Sequence, residues 1–298
     1  MAQGAAQAGR GRAAVWGGFL FLTLVWGASF LWIKIAVEDV GPYVLVALRL
    51  VLGLAGLTAI LAIQRPRLPR DRRTWLALAI LGVTNTSLPW FLISWAEQSI
   101  DSALATVLNG TVPLMTIVLA HVMLRDDRMT IPRILGLLIG FTGVTVLARR
   151  GADGNAAGSL MGQGGMLLAA ALYAFSAVYA RRSLRHVTPL VQAFYSMLIA
   201  TAIMWAALPL FGVELVMPSR PVVWVALVWL GVFGAGIASW ILYYLLHAVG
   251  PTRTSLVTYM IPVVGVTLGV VVLKELLDFH LVAGTILIVS GVWVVTRR

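Results

Sequence analysis

One stretch of this chain occurs twice, and that repetition limits the folds available to it. Residues 103–127 read ALATVLNGTVPLMTIVLAHVMLRDD, and residues 252–276 read TRTSLVTYMIPVVGVTLGVVVLKEL. At a shift of 149, Pro113 falls on Pro262, Leu124 on Leu273, Arg125 on Lys274 and Asp126 on Glu275. After a one-residue slip, Gly136 falls on Gly284, Gly143 on Gly291, and Arg149-Arg150 on Arg297-Arg298. Apolar composition can mimic similarity. Matched proline, glycine and charge positions are harder to produce by chance, so the chain reads as a duplicated unit. The same offset pairs Trp75 with Trp224 and Gly82 with Gly231. At a shift of 147, Gly17-Gly18 pairs with Gly164-Gly165, Trp26 with Tyr173, Ser29 with Ser176, Lys34 with Arg181 and Pro42 with Pro189.

The repeated unit is too apolar for a water-soluble core. Only 11% of the 298 residues are charged and 60% are hydrophobic, against about 25% charged in soluble domains. The chain therefore reads as an integral membrane protein. Ten apolar stretches fall at about 16–36, 43–63, 74–95, 102–123, 131–148, 161–180, 189–211, 222–246, 253–273 and 279–296. Each is close to the roughly 20 residues that a helix needs to cross a bilayer. Strand alternation is missing, and lipid offers backbone groups no partners, so the spans must be helices. The predicted organisation is a tail at 1–15, a first five-helix repeat at 16–150, a linker at 151–160 and a second repeat at 161–298. Although basic, the N-terminus leads into a run of bilayer length and is read as preceding a retained first helix.

Charge sets the expected orientation. With the N-terminus inside, the inner loops carry sixteen Lys and Arg and the outer loops four. Both termini are then cytoplasmic. The net charge of +11 is accounted for by these inner loops, with no nucleic-acid partner needed. Five is an odd number of spans, so the second repeat enters the membrane in the opposite direction. Inverted repeats place a substrate site near the midplane between the halves and permit alternating access. The fold class expected is an all-α integral membrane protein, with ten transmembrane helices as two inverted five-helix repeats around a central cavity.

Trp26-Gly-Ala-Ser-Phe-Leu-Trp-Ile-Lys34 resembles the first-helix signature of the drug/metabolite transporter superfamily, EamA branch. Pro42 followed by Arg49 resembles its second helix. Pro113 with Leu124-Arg-Asp, and Pro262 with Leu273-Lys-Glu, resemble the fourth-helix Pro…Leu-Gly-Glu pattern; Gly136/Gly143 and Gly284/Gly291 resemble the fifth. The first copy departs from that pattern at Arg125-Asp126-Asp127. The resemblance implies a ten-helix basket whose cavity is lined by the first, third, fourth, sixth, eighth and ninth helices. It implies export of amino acids and related small metabolites across a bacterial inner membrane. The aromatic-rich first and eighth helices are similar to those of YddG-like amino-acid exporters.

Polar groups at midspan are costly and mark function or packing. On the fourth helix, Thr106, Asn109/Gly110 and Pro113 share a face. Pro113 removes a backbone bond and frees a carbonyl, and Asn109 is placed to bond a zwitterion. The other reading is helix–helix contact through small residues. The matching ninth-helix face holds Ser255, Thr258/Tyr259 and Pro262. Trp26 and Ser29 on the first helix, with Tyr173 and Ser176 on the sixth, offer an aromatic wall for an amphipathic solute. The alternative is interfacial or packing aromatics, the use expected for Trp16, Trp75, Trp224 and Trp293. Asn85 and Trp90 on the third helix and Trp240, Tyr243 and His247 on the eighth complete the candidates. Lys34 is expected to snorkel. For Arg49, pairing with Glu38 or Glu97 is set against attraction of a substrate carboxylate.

Other functions fit less well. There is no cysteine, and the four histidines lack ligand spacing, so no metal or cofactor is expected. No clustered acid or histidine chemistry marks an enzyme. No carboxylate lies at the centre of a span, which argues against the proton/cationic-drug design. The expectation is a carrier for amino acids, aromatic or neutral, or similar metabolites, with membrane lipid and the solute as partners and a monomer sufficing. Nucleotide sugars or lipophilic drugs remain the alternative substrates.

Overall fold

The computed structural model describes residues 2–66, 69–124, 129–150, 156–249 and 256–296, with side chains from residue 15 onward. Among these, all regular structure is helical. We number the helices α1 (Ala2–Gln64), α2 (Arg72–Ala96), α3 (Ser102–Met123), α4 (Ile131–Ala148), α5 (Ala156–Ser183), α6 (Pro189–Leu210), α7 (221–249), α8 (Leu256–Val272) and α9 (Phe279–Thr296). Eight are long and apolar enough to cross a membrane, and Met260–Val272 forms a shorter apolar helix. The exterior is apolar, with Leu20, Val122, Leu210 and Val225 exposed, as lipid contact requires. Trp16, Trp75, Trp224 and Trp293 are also exposed.

Helix α1 is not one straight rod. Fifty apolar residues, Val15–Gln64, would extend about 75 Å at 1.5 Å per residue, more than twice the roughly 30 Å hydrocarbon core. The chain breaks at Gly41, where φ is 71°. That left-handed backbone suits glycine alone among ordinary residues. Pro42 follows and restarts the helix without needing a donor. The break makes two limbs, and it places Arg49 two turns into the second.

Three helices carry internal interruptions. In α2 and α7 the chain widens into π-helical stretches at Gly82–Ser87 and Trp229–Ile237. A shift of 149 superimposes the first on the second. In α3 the helix ends at Asn109, turns through Gly110 and Thr111, and resumes at Val112. Pro113 explains this, since it cannot donate to the carbonyl four residues back. Pro262 sits inside α8, which is not divided.

Glycines set the closest helix approach. A Cβ on Gly136 would meet the Gly291 carbonyl at 2.7 Å, and one on Gly143 the Gly284 carbonyl at 2.9 Å. Gly291 and Gly284 face the same partners in return. Contacts 136–291 and 143–284 run in opposite directions along the two helices, so α4 and α9 are antiparallel. Small-residue packing of this kind supplies dispersion contact where lipid gives no hydrophobic drive. The core is built from Leu22 and Leu45 of α1, Leu108 of α3 and Leu227 of α7, all fully buried.

Candidate functional site

The interruptions converge on a cavity of about 450 Å³ between the two halves. Its lining follows the duplication. Trp26 lies with Tyr173, Ser29 with Ser176, Arg49 with Ser196, Asn85 with Gly234, Trp90 with Ser239, and Asn109 with Thr258. Each pair is related by the offsets read from sequence. Among the described residues, no acidic side chain lines the cavity.

Most of its hydroxyls are already bonded. Ser29 Oγ donates to the Val25 carbonyl at 2.8 Å, and Ser196 Oγ to that of Gln192 at 2.7 Å. Thr84 and Ser176 share a bond of 2.7 Å. The Gln192 amide donates to the Leu184 and Val187 carbonyls at 2.9 and 2.8 Å. Two lining groups differ. Arg49 is buried, its guanidinium carbon is 3.7 Å from the centre of the Trp90 ring, and its Nε has no hydrogen-bond partner. Asn109 Oδ1 is likewise buried without a donor. Buried polar atoms are nearly always satisfied. An open donor on a cation and an open acceptor within one cavity describe an incomplete site.

The structure brings Trp26, Ser29, Asn85, Trp90, Asn109, Tyr173 and Ser176 together around this space. Trp240 stands outside the cavity and is 48% exposed. Ser239 and Leu242 line it instead, one residue earlier than the aromatic face expected from sequence. Ser239 and Leu242, at i and i+3, share one helix face, and Trp240, the next residue after Ser239, is turned about 100° away from it. The side chains of Tyr243, Tyr259 and His247, together with Ser255 and Asp126-Asp127, lie outside the described residues. Sequence reasoning missed Gln192, Ser196 and Ser239, short polar groups with no visible motif.

Both midspan cations depart from the simplest expectation. Lys34 does not snorkel. Its Nζ donates to the carbonyls of Glu97 and Ile100 at 2.5 and 2.9 Å, at the C-terminal end of α2, where a positive charge meets the helix dipole. Arg49 pairs with neither acid, because Glu38 faces Arg220 at 3.7 Å and both Glu97 oxygens lack a hydrogen-bond partner.

A second, charged space of about 520 Å³ lies at the end bearing Lys34, Asp101, Arg150 and Glu275. Arg150 bridges Asp101 at 2.9 Å and Asp278 at 2.7 Å. For the Asp278 carboxyl, partial burial works upward, but the Leu281 amide and Arg150 outweigh it and hold the group below its ordinary value. Glu275 accepts from the backbone amides of Ser102 and Ala103 at 2.7 and 2.9 Å. The loop before α9 thereby caps α3 of the other half.

The profile of the EamA-like transporter family matches residues 15–149 and 160–297. The uncharacterized transporter YoaV of Bacillus subtilis (strain 168) is 22% identical over 94% of this chain and 95% of its own length. The uncharacterized inner membrane transporter YedA of Escherichia coli (strain K12) is 28% identical over 86% of this chain and 81% of its own. A solved crystal structure, 24% identical, aligns over 95% of both chains with a TM-score of 0.68, a likeness of fold. Two family matches covering both halves, on a frame of apolar helices around a shared cavity, place this chain in the EamA-like transporter family, as a multi-pass membrane transporter.

Proposed function

We propose that the chain exports amino acids, aromatic or neutral, or closely related small metabolites, by alternating access. The carrying observation is the pair of unmet groups in the cavity, Arg49 Nε and Asn109 Oδ1. A substrate carboxylate answers the first and its ammonium the second. Trp26, Trp90 and Tyr173 supply aromatic faces for the rest of the solute. A buried cation with no counter-ion is unfavourable, so binding an anion there is worth more than binding it at the surface. Ser29, Asn85 and Ser176 complete the proposed site, with Tyr243 and Tyr259 included on the sequence reading alone.

Lipophilic cations fit poorly, since Arg49 repels them and no carboxylate lines the cavity among the described residues. Sugar phosphates and nucleotide sugars call for more than the one lining cation found among those residues. The architecture proposed is ten spans in two inverted repeats, 16–150 and 161–298, with the α1 limbs as the first two. The antiparallel glycine contact of α4 and α9 and the matched π-helical stretches support it. Both termini face the cytoplasm, and one chain is enough.

The test is flux in proteoliposomes holding the purified protein, with each labelled amino acid set beside its decarboxylated amine and its methyl ester. Saturable movement of the amino acid, with neither derivative carried, is the expected result. Equal movement of the amine would remove Arg49 from recognition and overturn the substrate class.

A further inference from the structure

Between the central cavity and the charged space lies a plug, and Glu97 is at its centre. Trp90, Ile93 and Glu97 follow at i, i+3 and i+7, one face of a helix. The first two line the cavity. Glu97 lies one turn further on, lines neither space and is 0% exposed. On α1 the division repeats, with Ile33 on the cavity and Lys34 on the charged side.

The surroundings of the Glu97 carboxyl are unusual. Neither oxygen receives a hydrogen bond. Lys34, whose charge acts on it most strongly, is committed to the backbone carbonyls of Glu97 and Ile100. Glu275 adds a like charge, already held by the α3 amides. Arg49 acts from the cavity side but makes no ion pair with it. Asp101 and Arg150 are occupied with each other. Helix α5 brings Gly162 and Gly165 against Ala96 and Trp95, with no charge. Burial outweighs Lys34 and holds the carboxyl well above its usual range.

We propose that Glu97 is a proton-binding site whose occupancy is tied to closure of the plug between the central cavity and the charged space. Protonation and closure are linked. A carboxyl sealed from water without donors is stable only as the neutral acid. Parting of the plug admits water, and the carboxyl then releases its proton to the charged space as the carboxylate forms. Protonation therefore favours the closed arrangement and deprotonation the open one. With one proton linked, the open-to-closed ratio rises by about tenfold per pH unit between the two pKa values. The proposal rests on the carrier reading, to which it adds a proton as regulator of one gate.

The chain contains no cysteine, so spin labels can be placed without removing native thiols. The labels are placed at Ser99→Cys, two residues from Glu97, and at Leu276→Cys, which lines the charged space; both positions are exposed. Distances between labels in lipid nanodiscs are measured from acid to alkaline pH. The expected result is a shift toward a longer distance as pH rises. It is abolished in Glu97→Gln, which keeps the acid-state distribution throughout, and retained in Glu275→Gln. Infrared difference spectra of the otherwise unchanged chain should lose a protonated-carboxyl band over the same range, a reading that needs no variant to fold. A pH-independent distribution, or a shift that survives Glu97→Gln, overturns the proposal. The readout needs no substrate: a pH response without amino-acid flux overturns the carrier reading alone, and flux without a pH response overturns the proton site alone.

Discussion

The two walls of the cavity come from equivalent positions of a duplicated unit, yet they carry different chemistry. The first half presents Arg49, Asn85, Thr86, Trp90 and Asn109; at the matching places the second presents Ser196, Gly234, Ala235, Ser239 and Thr258. The walls stay alike in kind at Trp26/Tyr173 and Ser29/Ser176, and at the aliphatic pairs Ile93/Leu242 and Val112/Ile261. At these five positions the first wall is cationic and bulky and the second is small. Backbone features diverged less: π-helical stretches stand at the same offset in α2 and α7. The backbone that opens the cavity is shared between the halves while the side chains differ; on the proposed function, one wall holds the solute and the other leaves it room.

The largest effect should come from removing the cation that distinguishes the walls. Arg49→Met should lower kcat/KM for a carboxylate substrate by about 10- to 150-fold, the equivalent of a charge-assisted bond of roughly 1.5–3 kcal/mol. Stability should hold or rise, since an uncompensated buried charge is replaced by an apolar side chain of similar length. Flux assays paired with thermal unfolding in detergent check both parts. Unchanged flux with unchanged folding would show that the asymmetry of the walls has nothing to do with recognition.

The halves are also joined across their ends, by Glu275 capping α3. Glu275→Ala leaves two helix amides without their acceptor and should cost about 1–3 kcal/mol of stability, read as a lower unfolding temperature. Glu275→Gln, which still accepts, should recover part of the loss. If Glu275→Ala unfolds at the unaltered temperature, the link between halves is not made at this cap.

How much of this was legible in the sequence depends on the residue. The offsets were enough to pair Trp26 with Tyr173 and Ser29 with Ser176, and all four line the cavity. Asn109 was legible because Pro113 marks the break that exposes it. Arg49 was not settled, because its depth depends on where the second limb of α1 begins, and the backbone at Gly41 sets that. Trp240 was misplaced because an aromatic cluster does not fix which helix face turns inward: Ser239 and Leu242 share the lining face, and Trp240 is turned about 100° from it. Lys34 was expected to snorkel because a lone lysine near a helix end has few other options. Its actual partners, two carbonyls at the end of another helix, are tertiary and invisible to local reading.

Making the second wall resemble the first sharpens the comparison further. Gly234 corresponds to Asn85. A Cβ there would meet the Trp229 carbonyl at 3.4 Å and Ser29 Oγ at 3.8 Å, ordinary contact. Gly234→Asn should therefore fold while filling the roomy side. KM should rise about tenfold for a bulky aromatic solute, near 1.4 kcal/mol, and change little for a small one. Gly231→Ala is the contrasting control. Its Cβ would meet Leu52 Cβ at 2.6 Å and the Arg49 carbonyl at 3.0 Å, so it should destabilise by about 1–3 kcal/mol through overpacking. Equal KM changes for large and small solutes would show that room on this wall does not set specificity.

The smallest effect concerns the position where the walls are most alike. Trp26 Nε1 donates to the Gly234 carbonyl at 3.1 Å, and Trp229 Nε1 donates to the Val25 carbonyl at 3.2 Å. These two bonds tie α1 to the π-helical stretch of α7. Trp26→Phe keeps an aromatic face and loses one of them, which should cost about 1 kcal/mol and reduce flux by no more than about fivefold. Trp26→Ala also removes the ring and should reduce flux further while the protein still reaches the membrane. The difference between the two variants separates the ring's contact with solute from its bond across the halves. If Phe and Ala are equally impaired, the indole matters as a tie between halves; if Phe is unimpaired and Ala is not, it matters as a wall.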